Sequence, residues 1–409
     1  MALSVETGLF AADTADATTT VSCGFTGKAL ILFGTNATAE SESAQQNSCF
    51  SFGFSDGTTH RSIQVAGDNA VSTSNVAKGL LNSALGIITS SPAITNRING
   101  VSFGASSFDL TWASTPAAAY RIGYILLGGA DITNVKVGST STITMASTGA
   151  QTETGIGFQG DFAIFLFNGL ANTATFPANG GIGFAIAGKQ FTLAWGVDDA
   201  QTMSAAVDGV SYINASGVLS YITNGAGTID GLASFTEFTS DGFTINVSNA
   251  TALASGAIAY LVIKGGQWDL GVQAKPTTAI AQSVTSMTFQ PKVAFWTSGD
   301  ATVDATVTAG GAGVSGGAAV STSTEALASL RHNDAIDTIV WSASHSSRVA
   351  TDRTTSTSAD FTSFNSDGWT ITWDGTGVAT LQGWFAAGDN AVAPTTTGQG
   401  WWGKSGNVW

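Results

Sequence analysis

Phe238-Thr-Ser-Asp-Gly-Phe243-Thr-Ile245-Asn-Val247 reads as a tight turn running into a strand. Phe243, Ile245 and Val247 alternate with Thr244 and Asn246, the period of a sheet with one buried face. The preceding Asp241-Gly242 is a turn signal that sets the register of the strand. The pattern occurs twice more in the chain. Phe103-Gly-Ala-Ser-Ser-Phe108-Asp-Leu110-Thr-Trp112 lies before it, and Phe364-Asn-Ser-Asp-Gly-Trp369-Thr-Ile371-Thr-Trp373 lies after it.

Three other patterns repeat in the same order. Gly24-Phe25-Thr-Gly-Lys28-Ala-Leu-Ile-Leu-Phe33 matches Gly157-Phe158-Gln-Gly-Asp161-Phe-Ala-Ile-Phe-Leu-Phe167 and Thr288-Phe289-Gln-Pro-Lys292-Val-Ala-Phe-Trp296. Phe25, Phe158 and Phe289 follow one another at intervals of 133 and 131 residues. Tyr124-Ile-Leu-Leu-Gly128-Gly129 matches Tyr260-Leu-Val-Ile-Lys-Gly265-Gly266 and Trp384-Phe-Ala-Ala-Gly388. Val5-Glu-Thr-Gly8, Val137-Gly-Ser139 and Leu270-Gly-Val272 open the three copies. Four motifs recurring in order imply three tandem modules: residues 1–136, 137–269 and 270–409. The unbroken apolar run from Ala29 to Phe33 predicts a strand buried on both faces. Superposed modules are expected to place Phe25, Phe158 and Phe289 at one buried position.

Composition agrees with this division. The 409 residues give room for two to four domains, and 43% hydrophobic residues are enough to fill their cores. Charged residues make up only 10%, and Gly, Ala, Ser and Thr take their place. Such a chain suits short strands and tight turns better than long helices. The expected fold is all-β: three antiparallel β-sandwiches of about eight strands each, with jelly-roll and immunoglobulin-like topologies both open. Only Ala77–Leu85 and Thr324–Leu330 show helical promise, for a turn or two each.

The net charge of −14, without any run of Lys or Arg, excludes the basic footprint of a nucleic-acid binder and disfavours anionic membranes. No apolar stretch reaches the roughly 18 residues of a membrane span. The start, Met1-Ala-Leu-Ser-Val-Glu-Thr-Gly8, lacks the features of a secretory signal, so synthesis and assembly in a host cytoplasm are expected. Cys23 and Cys49 are then expected as reduced core thiols, with a bridge open if geometry allows.

The repeated motifs resemble a tandem-repeat family of phage and prophage virion proteins. Its modules carry V-G-S-F, T-G-V-G-F-Q-P-K-A, S-F-D-A-D-G-F-T-L-N-W and Y-L-A-L-G-G. Thr154-Gly-Ile-Gly-Phe-Gln159, Phe289-Gln-Pro-Lys292 and Ser240-Asp-Gly-Phe-Thr-Ile-Asn246 carry the likeness, which spans nearly the whole chain. The resemblance implies a virion-associated structural role and brings no catalytic residue with it. The third copy departs from the pattern after Gly388, where no further opening motif follows.

Chemical motifs fail by context. His60, His332 and His345 lack metal-ligand spacing and read as surface histidines. Gly398-Gln-Gly-Trp-Trp-Gly403-Lys404-Ser405 matches a phosphate loop by letter, with too few residues after it for the required helix. Gly155-Ile-Gly157-Phe-Gln-Gly160 and Gly311-Ala-Gly313-Val-Ser-Gly316 match a dinucleotide fingerprint, but the first leads into a strand. Gly313-Val-Ser315-Gly-Gly317 matches a nucleophile elbow without its strand-to-helix setting. Asp198, Asp199, Asp230, Asp334 and Asp337 are the acids a glycan hydrolase would need, and none recurs at an obviously equivalent position. Asp334 and Asp337 lack the periodicity of a Ca²⁺ loop. The chain is accordingly read as a non-enzyme without catalytic residues, cofactor or metal.

Trp401, Trp402 and Trp409 lie among Gly and Thr and are the candidate interface or edge-closing residues. The leading expectation is a surface component of a tailed-phage virion: a capsid decoration protein, head fibre or tail-associated subunit. Its partners would be other virion proteins, with self-association into multiple copies. A carbohydrate-binding adhesin recognising a host-surface glycan is the first alternative, and a glycan-degrading spike the second.

Overall fold

The computed structural model describes residues 2–39, 48–68, 75–88, 94, 96–169, 178–197, 209–222, 227–251, 258–332, 338–343, 347–350 and 356–390. Their regular structure is entirely β. The first copy contains β1 (Leu3–Ala11), β2 (Thr18–Ser22), β3 (Gly27–Thr35), β4 (Ser48–Ser55), β5 (His60–Asp68), β6 (Asn75–Leu81), β7 (Leu85–Ile87), β8 (Asn96–Phe103), β9 (Ser107–Trp112) and β10 (Arg121–Gly129). The second contains β11 (Asn134–Ser139), β12 (Gly149–Thr154), β13 (Phe162–Asn168), β14 (Ala178–Ile186), β15 (Lys189–Val197), β16 (Gly209–Asn214), β17 (Leu219–Ile222), β18 (Ile229–Thr239), β19 (Gly242–Asn249) and β20 (Ala259–Lys264). The third contains β21 (Gln267–Ala274), β22 (Ala281–Val284), β23 (Val293–Ser298), β24 (Thr308–Ala309), β25 (Ala312–Ser321), β26 (Thr324–His332), β27 (Thr338–Ala343), β28 (Ser347–Ala350), β29 (Ser356–Asn365), β30 (Gly368–Trp373) and β31 (Leu381–Gly388).

Each copy is a sandwich of a six-stranded and a four-stranded antiparallel sheet, in the order β1-β10-β3-β4-β5-β6 over β2-β9-β8-β7 for the first. The other two repeat this order, and β24 of the third copy adds a seventh strand beside β16 of the second. First strand pairs with last and second with penultimate, a nesting closer to a jelly roll than to the immunoglobulin arrangement.

Residue-level equivalence is written in the backbone. The amides of Cys23, Ile156 and Met287 donate to the carbonyls of Ser106, Asp241 and Asp367 at 2.9, 3.1 and 2.9 Å. Phe108–Tyr124, Phe243–Tyr260 and Trp369–Trp384 form the same edge-to-face pair, with centroids 5.2, 5.5 and 5.7 Å apart. Gly8, Gly138 and Gly271 pair across the ladder with those same Tyr124, Tyr260 and Trp384 residues, and an added Cβ would strike each ring. Gly242 and Gly368 are glycine because a Cβ there would overlap the carbonyl of Glu153 or Val284 on the neighbouring strand.

Several expectations change at this level. Phe25, Phe158 and Phe289 do occupy equivalent places, but in the connection before the central strand rather than on a strand. Phe25 and Phe158 are half-buried and only Phe289 is buried. The opening motifs align on glycine, so Thr7, not Val5, stands where Val137 and Leu270 stand. Ala77–Leu81 and Thr324–Leu330 are strand residues of β6 and β26, not helical turns. Ala326, Ala328 and Leu330 alternate into the core, so tertiary packing overrides their helix propensity. Both cysteines are free thiols. Cys23 fills the place of Ile156 and Met287, a small apolar plug with no partner to bridge, and burial pushes the Cys49 thiol up to about 12.

The three large sheets share one core. In β3, Ala29, Ile31 and Phe33 face this common core while Leu30 and Leu32 face the module's own small sheet. β13 splits in the same way, Phe162, Ile164 and Leu166 inward against Ala163, Phe165 and Phe167 outward. That double burial is what the unbroken apolar run encodes. β5 packs on β11, β13, β14 and β20; β15 packs on β21, β25 and β31; β26 packs on β1, β3, β4 and β10. Each copy therefore grips the next, and the third grips the first. The contact is head-to-tail and closes, which makes one chain a pseudo-threefold ring.

Candidate functional site

The ring has two unlike ends. One end carries the joints between copies. Lys28, Asp161 and Lys292 stand at the same position just before or within the central strand, and each clamps a different joint. Lys28 Nζ donates to the Gly129 and Ile132 carbonyls at 2.9 and 2.6 Å. The Asp161 carboxylate accepts from the Gly265 amide at 2.7 Å. Lys292 Nζ donates to the Leu3 carbonyl at 3.1 Å and pairs with Asp389 at 2.6 Å, while Asp389 also accepts the Leu3 amide at 2.8 Å. The first two joints are covalent chain, and the third is held by these polar contacts. Asn390 donates to Asp131 at 2.8 Å and Gln267 donates to the Asp389 carbonyl, so the joints meet around one axis.

The turns at this end are short: 187–188, 240–241, 322–323 and 366–367. The opposite end carries the long connections 36–47, 169–177, 198–208 and 299–307. Long connections on a rigid scaffold are where recognition concentrates. Strand pairing makes Ile63, Leu193 and Ala328 equivalent, so β5, β15 and β26 run in one register. Asp198, Asp199, Asp334, Asp337 and His345 lie outside the described residues, as do Trp401, Trp402 and Trp409.

The described candidates, and the buried acids beside them, have structural employment. Asp230 accepts a hydrogen bond from Thr251 Oγ1. Buried Glu153 accepts from the amides and hydroxyls of Ser141 and Thr142, and buried Asp269 pairs with Lys189 at 2.5 Å. Gly155 and Gly157 adopt positive φ and turn their amides onto the Asp241 carboxylate at 3.0 and 2.6 Å, so this glycine pattern binds its own turn. Ser315 is a buried strand residue bonded to Ser298 at 2.7 Å, not an elbow nucleophile. His60 is half-buried rather than on the surface, bonded to Ser55 at 2.8 Å, and burial lowers its pKa. Among the described residues no group of three or more His, Cys, Asp and Glu side chains is placed to hold a metal. The large apolar side chains exposed among them are Ile280, Val303 and Val378, so no Trp or Tyr platform for a sugar is found there.

The interface between the first and second copies buries Lys78. Its Nζ donates to the Gly169 carbonyl at 2.6 Å and Asn179 Oδ1 at 2.8 Å, both neutral partners. Burial lowers its pKa from 10.5 to about 8. Below about 8 both folded and unfolded chains carry the charge and folding bears its full desolvation cost. As pH rises from about 8 towards 10.5 the folded state sheds the proton first, so stability gains. Urea midpoints of wild type minus Lys78→Met are expected to rise across this window; a flat difference means that Lys78 does not titrate there.

The sequence matches no family model and no curated protein.

Proposed function

We propose that this protein is a structural component of a phage virion surface, non-catalytic, and that it supplies a trimer-shaped unit from a single chain. The closed head-to-tail ring carries this reading. A homotrimer presents identical surfaces, whereas a fused ring lets three equivalent faces differ, which suits a place on a particle where neighbours are unlike. The joint end would face the particle, and the end with long connections would project. Resemblance of the repeat motifs to phage virion modules, and structural roles for the buried carboxylates, support the same conclusion.

Mass spectrometry of gradient-purified particles, followed by cryo-EM, tests it. The chain is expected in stoichiometric copies, with its joint end against the shell or tail. Intact infectious particles from which the chain is absent would rule this role out.

A further inference from the structure

The three interfaces of the ring are equivalent in register but not in filling. Val5, Val135 and Trp268 occupy one position on the opening strands β1, β11 and β21. Between the second and third copies, Trp268 stacks on Phe162 at 4.2 Å with planes 3° apart, and its indole N–H donates to the Gly265 carbonyl at 2.8 Å. Between the first and second, the Asp56 carboxylate crosses the interface to the Val137 amide at 2.9 Å. Between the third and first, Val5 replaces the indole and Val320 stands at the place of Asp56. A groove of about 560 Å³ opens there, lined by Val5, Phe25, Pro291, Lys292, Val320 and Phe364 among others.

The chain continues from the rim of this groove. Asp389 is tied to Leu3 and Lys292, both of which line it. Its carboxylate neutralises Lys292, which leaves a floor of apolar and neutral groups. Residues 391–409 follow directly, with Lys404 their one charged side chain and Trp401, Trp402 and Trp409 their large apolar ones. At about 3.3 Å per extended residue Trp401 has a reach of roughly 35 Å from Asn390, ample to return to the groove.

We infer that the groove between the third and first copies is the docking site of the chain's own segment 391–409, with Trp401 or Trp402 inserted where Trp268 sits in the neighbouring interface. Docking there closes the one joint that lacks a covalent link. A buried indole is suited to this, since it covers a large apolar area at low conformational cost. Such docking takes place within the isolated chain, whether or not the protein sits on a virion.

The test is Val320→p-benzoylphenylalanine in the full-length chain at low concentration, irradiated and digested for mass spectrometry. Cross-links within one chain to peptides of residues 391–409 are expected. Trp401→Ala with Trp402→Ala should reduce their yield about fivefold or more without changing the fold. Val5→Trp, which fills the groove from within, should do the same where it folds. Cross-links that avoid residues 391–409, an unchanged yield in the double variant, or links that form only between differently isotope-labelled chains would each overturn the inference.

Discussion

Phe295→Ala is expected to cost about 3–5 kcal/mol and to weaken all three copies together. Its ring is fully buried and meets Phe33 and Phe52 of the first copy at 5.8 and 5.7 Å, Phe184 of the second at 6.0 Å, and Phe385 of its own at 5.1 Å. No single copy can collapse into the cavity this truncation leaves, because its walls are divided among three sheets. The loss should therefore sit at the upper part of the range for aromatic truncation. Calorimetry distinguishes a ring from a string of beads. In a ring one transition shifts as a whole; in a string only the third copy's transition moves while two others stay.

Phe243→Ala and Trp369→Ala should each cost about 3–5 kcal/mol as well, through the outer cores. Phe243 packs edge-on against Phe165 and Tyr260, at 5.1 and 5.5 Å. Trp369 packs edge-on against Trp296 and Trp384, at 5.1 and 5.7 Å. The two positions share no partner, so their effects should add within about half a kcal/mol. The summed loss of roughly 6–10 kcal/mol approaches the whole stability of a typical domain, and the double variant is expected largely unfolded. Chemical denaturation of the two single variants and the expression yield of the double check this. An unchanged midpoint for either single variant would remove its strand from a core.

Strand pairing bears on the edge that the tail was expected to close. If each opening strand completed the copy before it, the third copy, which has no successor, would be left with a bare edge for the tail to close. In the fold, β11 pairs with β20 of its own copy, as β1 pairs with β10 and β21 with β31. The third sandwich has its full set of strands and no such edge to cover. What the ring lacks instead is a covalent link between Asp389 and Leu3. Ladder partners of opening strands lie more than a hundred residues away, and nothing local in the sequence reports them.

Strand content, repeat number and the doubly buried central strand were determined by the sequence alone, because alternation and turn residues are local properties of the backbone. Phe243, Ile245 and Val247, with their counterparts in the other copies, needed no coordinates to be placed on a buried face. The tertiary structure decided which copy each outward surface meets. Ala29, Ile31 and Phe33 announce a second apolar face, but not that it lies against Phe295 of the third copy. It also decided the equivalence of Ile63, Leu193 and Ala328, since loops of different length hide that register until the ladders are paired. Hydrophobic burial is non-directional, so a pattern tells which residues leave water and not which partner receives them. Partner choice here rests on ring closure, a property of three sheets at once.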